Sequence, residues 1–113
     1  MSEFGFSDEI LHSIQSILER NECIDKAKIY GSRAKGNYHD RSDIDLAIYG
    51  KNIDRFGLAA IQLDFSESDI PLIVDVHHYQ GINNALLLEH IDRVGKTIFV
   101  NHKGQARENI GCP

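Results

Sequence analysis

The spacing of hydrophobic positions changes several times along the chain between a helical period and a strand period. Apolar residues recur every three or four positions in three stretches, which predicts helices over residues 8–21, 55–65 and 83–94. Short apolar or alternating runs predict strands over residues 26–30, 43–49, 72–76 and 97–100. A short helix after Gly31 and Ser32 completes an α-β-α-β-α-β-α-β order. This order predicts an α/β (α+β) fold, in which a mixed β-sheet has helices packed against it.

The apolar sides of the helices can be assigned from the same spacing. Ser7 is placed to cap the first helix, and the acidic residues that follow it suit the positive end of the helix dipole. The helix over 55–65 has a weaker pattern, and its apolar side is predicted from Phe56, Ala59, Ala60 and Leu63. The apolar side of the last helix is predicted from Ile82, Leu86, Leu87, Ile91 and Val94.

The length of the chain predicts one small domain. A chain of 113 residues buries only about two-thirds of the surface that its unfolded form exposes, which excludes a two-lobed enzyme made from this chain alone. We assign residues 1–100 to the domain. Residues 101–113 contain one large apolar side chain, Ile110, and are expected to form a flexible C-terminal tail.

Composition and net charge argue against two kinds of partner, nucleic acids and membranes. Hydrophobic residues make up 42% of the chain and charged residues 26%, as in an ordinary soluble domain. The net charge of −5 argues against direct nucleic-acid binding, which depends on clustered basic residues. The N-terminus is acidic without an apolar core, and no apolar run approaches the roughly 18 residues of a membrane span. A cytoplasmic protein without membrane contact is therefore expected.

Three aspartates are the strongest candidates for chemistry. Asp43 and Asp45 are two positions apart on a predicted strand, so both side chains point to the same face. Asp75 interrupts the apolar run of another strand, where a lone acid is unfavourable unless it is paired. If the two strands are adjacent, the three carboxylates converge, and oxygen ligands of this kind suit one or two Mg²⁺ ions.

A glycine-containing turn supplies a candidate phosphate site. Gly31 and Ser32 end one strand and begin the short helix, so main-chain N–H groups and a hydroxyl can face an anion. Arg33 and Lys35 add positive charge beside them. The glycine spacing partly matches a P-loop, but Asn37 stands where the lysine is required, which excludes a Walker-type ATPase.

The histidines give a weaker signal. His77 and His78 follow Asp75 closely and invite a metal-binding interpretation, but neighbouring residues of a strand face opposite ways. A structural role is therefore favoured for the pair, with one of them at the rim of the site. His90 falls on the presumed surface of the last helix and predicts nothing further.

The combined pattern resembles a known superfamily. Gly31 and Ser32, ten intervening residues, Asp43 and Asp45, and then Asp75 in a later apolar strand are similar to the nucleotidyltransferases related to DNA polymerase beta. The stretch 31–50, in so short a chain, resembles the minimal nucleotidyltransferases (MNT proteins). The resemblance extends over about residues 29–100, and its segment 65–71 is similar to the branch that is encoded beside HEPN-domain proteins.

The resemblance implies a role for each motif residue. Gly31 and Ser32 would hold a nucleoside triphosphate. Asp43 and Asp45 would bind two Mg²⁺ ions that bridge to it. Asp75 would complete the metal site and help to activate the attacking hydroxyl. The implied reaction transfers a nucleoside monophosphate to a hydroxyl group and releases pyrophosphate.

The resemblance also implies a partner. Arg33 and Lys35 match basic positions of the motif and are expected to bind nucleotide. In MNT–HEPN toxin–antitoxin systems the donor is ATP, and AMP is added to a tyrosine of the HEPN toxin, an RNase that is thereby neutralised. Two alternatives stay open. The protein could be a non-catalytic antitoxin that inhibits the HEPN partner by binding, or it could transfer the nucleotide to a small-molecule hydroxyl.

Overall fold

The computed structural model of the protein describes residues 4–39 and 41–101. Helices and strands alternate along this range, in the order α1 (Asp8–Glu19), β1 (Lys26–Tyr30), α2 (Ser32–Lys35), β2 (Ile44–Tyr49), α3 (Arg55–Ser66), β3 (Val74–His78), α4 (Ala85–Val94) and β4 (Lys96–Val100). A 3-10 turn over Tyr79–Gly81, which the spacing did not predict, joins β3 to α4. The predicted order and fold class are confirmed. Beyond Asn101, the predicted tail lies outside the described residues.

Within residues 4–39 and 41–101, the sheet has four strands in the order β3-β2-β1-β4. β1 pairs antiparallel with both β2 and β4, whereas β2 and β3 are parallel and are connected through α3. The sheet is therefore mixed, as predicted. A bulge in β4 leaves Ile98 without an opposite residue in β1, and the side-chain amide of Gln15 in α1 donates to the Ile98 carbonyl at 2.9 Å.

The two faces of the sheet are covered by different helices. One face packs against α1 and α3, and its central strand residues Ile29, Leu46 and Ile48 are fully buried. The other face, here called the α4 face, packs against Ile91 of α4. Buried strand residues on the α4 face are Tyr30, Ala47 and Tyr49. The register of the strands places Asp45, Asp75 and His77 on this second face.

Short polar side chains start the three longer helices. Ser7 caps α1 by accepting a hydrogen bond from the Ile10 amide at 3.3 Å, as predicted. Asp54 caps α3 through the Gly57 amide at 2.8 Å, and Asn84 caps α4. None of the helices in residues 4–39 and 41–101 is long and apolar enough to cross a membrane.

The predicted apolar side of α3 is wrong. Phe56 and Leu63 are 71% and 54% exposed, whereas Ile61 and Phe65 are buried against the sheet. Apolar residues lie on both sides of this helix, so the spacing alone could not show which side faces the core. In α4 the predicted core residue Leu86 is likewise exposed.

Candidate active site

The two parallel strands bring two of the predicted carboxylates side by side. Asp45 in β2 lies opposite Asp75 in β3, so both side chains project from the α4 face at neighbouring positions. Asp43 lies one residue before β2 begins, two positions from Asp45. The adjacency of the two strands, on which the sequence-based prediction of a carboxylate cluster depended, is therefore present.

The charges of these residues act on one another. The pKa of Asp45 is raised above its ordinary value, first because the side chain is half-buried, and then because the charges of Asp75 and Asp43 repel its own. His77 and His90 act in the opposite direction. Asp45 therefore lies in a site whose negative charge is only partly compensated, and a bound cation would relieve the repulsion.

The main chain of Gly31 is packed directly against Asp45. Gly31 has φ +75°, in the left-handed region, and a Cβ atom at this position would overlap the Oδ2 atom of Asp45. Helix α2 begins at the next residue, Ser32. The predicted phosphate turn and the carboxylate pair thus form one continuous site, and glycine is required where they meet.

The carboxylates fit Mg²⁺ in kind without forming a complete ligand set. Among the described residues, no three acidic, histidine or cysteine side chains converge as a metal-binding group. The Oδ2 atom of Asp75 instead lies 3.2 Å from Nε2 of His77, and the Asp75 side chain is 53% exposed. Asp43, Asp45 and Asp75 nevertheless offer neighbouring oxygen donors that repel each other, which is the donor type that Mg²⁺ prefers.

Two histidines and a tyrosine line the site. One histidine of the pair 77–78 was expected at its rim, and His77 takes that place, whereas His90 and Tyr30 were not expected there. The Tyr30 ring packs edge-on against the rings of His77 and His90, with centroids 6.3 and 6.0 Å apart. Burial, followed by the charges of Asp45 and Asp75, raises the pKa of Tyr30 far above its ordinary value. The spacing of His77 from Asp75 carried a signal for its placement. The position of His90 depends on how α4 packs, which local sequence does not reveal.

The two predicted basic ligands have different surroundings. Arg33 is only 1% exposed, and its guanidinium donates to the carbonyls of Phe4 at 2.8 Å, Ser42 at 3.0 Å and His39 at 3.4 Å. It therefore links the segment before α1 to the segment before β2. Lys35 is exposed at the end of α2, so only Lys35 of the two can reach a ligand from the surface.

The sequence over residues 12–104 matches the protein family described as polymerase beta, nucleotidyltransferase. The chain belongs to this family. The mixed four-stranded sheet of the described residues agrees with this membership. No curated protein matches the chain in sequence.

Solved structures similar to this nucleotidyltransferase include two crystal structures of toxin–antitoxin proteins. One was crystallised with AMP-PNP and is 20% identical, with a TM-score of 0.68. The other, a mutant of MntA–HpeT with two aspartates replaced by glutamate, is 17% identical, with a TM-score of 0.67. Each match covers 82% of this chain and 75% of the other. At these identities the matches show a shared fold.

A further match is a candidate nucleotidyltransferase from Sulfolobus solfataricus. It is 25% identical to this chain, with a TM-score of 0.50, and the match covers 85% of both chains.

Proposed function

We propose that the protein is a Mg²⁺-dependent nucleotidyltransferase that acts as an antitoxin. It transfers AMP from ATP to a tyrosine hydroxyl of a partner HEPN RNase toxin and so neutralises that toxin. The observation that carries the transferase assignment is the pairing of Asp45 with Asp75, directly beside the Gly31 turn. The antitoxin assignment is supported by the motif resemblance and by the fold shared with two toxin–antitoxin structures, one of them with AMP-PNP.

The proposed donor site divides between the turn and the carboxylates. Gly31 and Ser32 would hold the triphosphate through main-chain N–H groups and the hydroxyl, and exposed Lys35 would add positive charge. Asp43, Asp45 and Asp75 would hold Mg²⁺, which neutralises phosphate charge when bound. Arg33, whose donors face main-chain carbonyls, would support the site from within rather than contact nucleotide.

In the proposed reaction, the acceptor hydroxyl oxygen forms a bond to the α-phosphorus of ATP. The bond between that phosphorus and the bridging oxygen of the leaving group breaks, and pyrophosphate departs. Asp75 accepts the hydroxyl proton, because its carboxylate is the more exposed member of the register pair and lies on the outermost strand.

The tyrosine of this chain that lies opposite Asp45 is not suited to be the acceptor. Tyr30 lies opposite Asp45 in the sheet, but it is 5% exposed and its raised pKa makes it a poor nucleophile. The side chain of Asp75, by contrast, is 53% exposed to solvent. The acceptor in this proposal is therefore a tyrosine presented by the partner protein at the exposed Asp75 carboxylate.

The test incubates a candidate HEPN partner with the chain, ATP and Mg²⁺, and then measures the intact mass of that partner by mass spectrometry. A HEPN protein encoded next to this chain, if there is one, is the first candidate. We expect the partner to gain the mass of one or more AMP units with the wild-type chain and with Asp69→Asn, a substitution at an exposed acid outside the cluster. We expect no gain with Asp45→Asn. An unchanged partner mass with the wild-type chain would refute catalysis on this partner.

The same experiment separates the two alternatives. If neither the wild-type chain nor Asp45→Asn transfers AMP, and both still block the RNase activity of the partner, the protein is a binding antitoxin. If labelled AMP appears on an added small-molecule alcohol, such as an aminoglycoside, but not on the partner, the acceptor class is wrong.

A further inference from the structure

The side-chain amide of Gln62 in α3 is bonded to β3 on both sides of Asp75. Its Nε2 atom donates to the Val74 carbonyl at 2.7 Å, and its Oε1 atom accepts from the Val76 amide at 2.9 Å. In the part of the chain that the structure describes, β3 is the outermost strand at this end of the sheet, and the side of β3 that faces away from Gln62 pairs with β2. One glutamine therefore supplies the two hydrogen bonds that a further strand would make at this position.

We call these two hydrogen bonds the glutamine clamp. The clamp holds β3 at the position where the charges of Asp75 and Asp45 repel each other. Asp75 and Asp45 are register neighbours whose like charges favour separation of their strands. An outermost strand is held by hydrogen bonds on one side only, so it can yield to that repulsion more easily than an inner strand. Gln62 fixes the peptide groups that precede and follow Asp75 from the opposite side, and it is itself carried on a packed helix.

We infer that Gln62 is a positioning residue for the metal site, because it holds Asp75 close enough to Asp45 for both carboxylates to bind one divalent cation. This inference rests on the proposed function. Gln62 acts on the metal site through Asp75, because its two hydrogen bonds are made to the residues before and after Asp75 and to the neighbours of no other acidic residue of the site.

The test measures Mn²⁺ binding by electron paramagnetic resonance, with Mn²⁺ alone as the probe. Gln62→Met removes both hydrogen bonds at similar side-chain length. We expect it to weaken Mn²⁺ binding roughly ten- to hundred-fold, as is typical when the support of a metal ligand is lost. We also expect the Val76 amide to exchange with solvent about tenfold faster by NMR, since its acceptor is gone. Gln62→Glu keeps the Val76 acceptor and should be intermediate.

Gln15→Met is the matched control. Gln15 also binds main chain of the sheet, at the Ile98 carbonyl, but on a strand without site carboxylates. We expect it to leave Mn²⁺ binding unchanged. In an Asp75→Asn background, Gln62→Met should no longer change Mn²⁺ affinity, because the residue through which it acts is absent.

Three results would overturn the inference. One is unchanged Mn²⁺ affinity in Gln62→Met and Gln62→Glu while Val76 exchange accelerates. Another is an equal loss of affinity in Gln15→Met or in the Asp75→Asn background. If Asp75→Asn alone leaves Mn²⁺ affinity unaltered, the metal-binding role proposed for Asp75 is itself wrong, and the role of Gln62 fails with it.

Discussion

Replacing Asp45 with asparagine should stabilise the metal-free protein while abolishing nucleotidyl transfer. Asp45 is half-buried, and its pKa is raised by burial and by the charges of Asp75 and Asp43. The charged form is therefore less favourable in the folded protein than in the unfolded chain. Asparagine keeps the shape of the side chain and removes the charge, so the repulsion disappears together with the metal ligand.

The size of the effect follows from the spacing of the strands. Neighbouring strands lie about 4.8 Å apart, so the register pair Asp45 and Asp75 places two charges roughly 5 Å apart. Coulomb's law gives about 0.8 kcal/mol in water and about 3 kcal/mol at an effective dielectric constant near 20. Because the Asp75 side chain is 53% exposed, solvent screening favours the lower part of this range. We expect a gain of about 1 kcal/mol, or a rise in Tm of roughly 4–8 °C.

The assay is thermal or urea unfolding of both proteins in the presence of a chelator, across a range of pH. A raised acid pKa means that wild-type stability falls as pH rises through that pKa, so the advantage of Asp45→Asn should be full at neutral pH. It should vanish as pH falls toward the ordinary aspartate value of about 4. Millimolar Mg²⁺ should stabilise only the wild type. Charge repulsion at Asp45 is excluded as the cause if Asp45→Asn is no more stable than Asp69→Asn at neutral pH, or if its advantage persists unchanged in acid.

Two further pairs of substitutions test the site turn and the orientation of α3. Gly31→Ala should destabilise the protein more than Gly36→Ala in urea unfolding. Both glycines have positive φ, but only the added Cβ at Gly31 meets Asp45, whereas Gly36 has open space around it. Equal losses would contradict the close packing of the turn on the carboxylate. Phe65→Ala should cost about 3–5 kcal/mol because Phe65 is buried, while exposed Phe56→Ala should change the free energy of unfolding by less than about 0.5 kcal/mol. The reverse ranking would mean that α3 turns its other side to the core.

Local patterns were sufficient to predict most of the fold. Each of the eight principal elements could be anticipated, since helix caps, glycine stops and apolar spacing are properties of short segments. The errors arose where the answer depends on distant contacts. Both sides of α3 carry apolar residues, and only its packing on the sheet decides that Phe65 is buried and Phe56 is exposed. The apolar run that begins at Leu72 suggested an early start for β3, but pairing with β2 begins at Val74.

In the candidate site, too, local sequence predicted what depends on strand alternation but not what depends on distant contacts. The spacing of Asp43 and Asp45 and the isolated acid Asp75 pointed to a shared cluster, because strand alternation determines the face of each side chain. The burial of Arg33 could not be predicted, since one of its acceptors is the Phe4 carbonyl, 29 positions earlier. The approach of His90 to Tyr30 likewise depends on which face α4 covers.

The glutamine clamp on β3 also has a consequence for self-association. An outermost strand with free peptide groups is a template on which a second chain can extend the sheet, and such pairing leads to aggregation. The amide of Gln62 already occupies the Val74 carbonyl and the Val76 amide. Strand-to-strand joining of two molecules at this edge would first have to displace it. Gln62, which we infer to position Asp75, therefore also hinders a second molecule from adding a strand to the sheet at this edge.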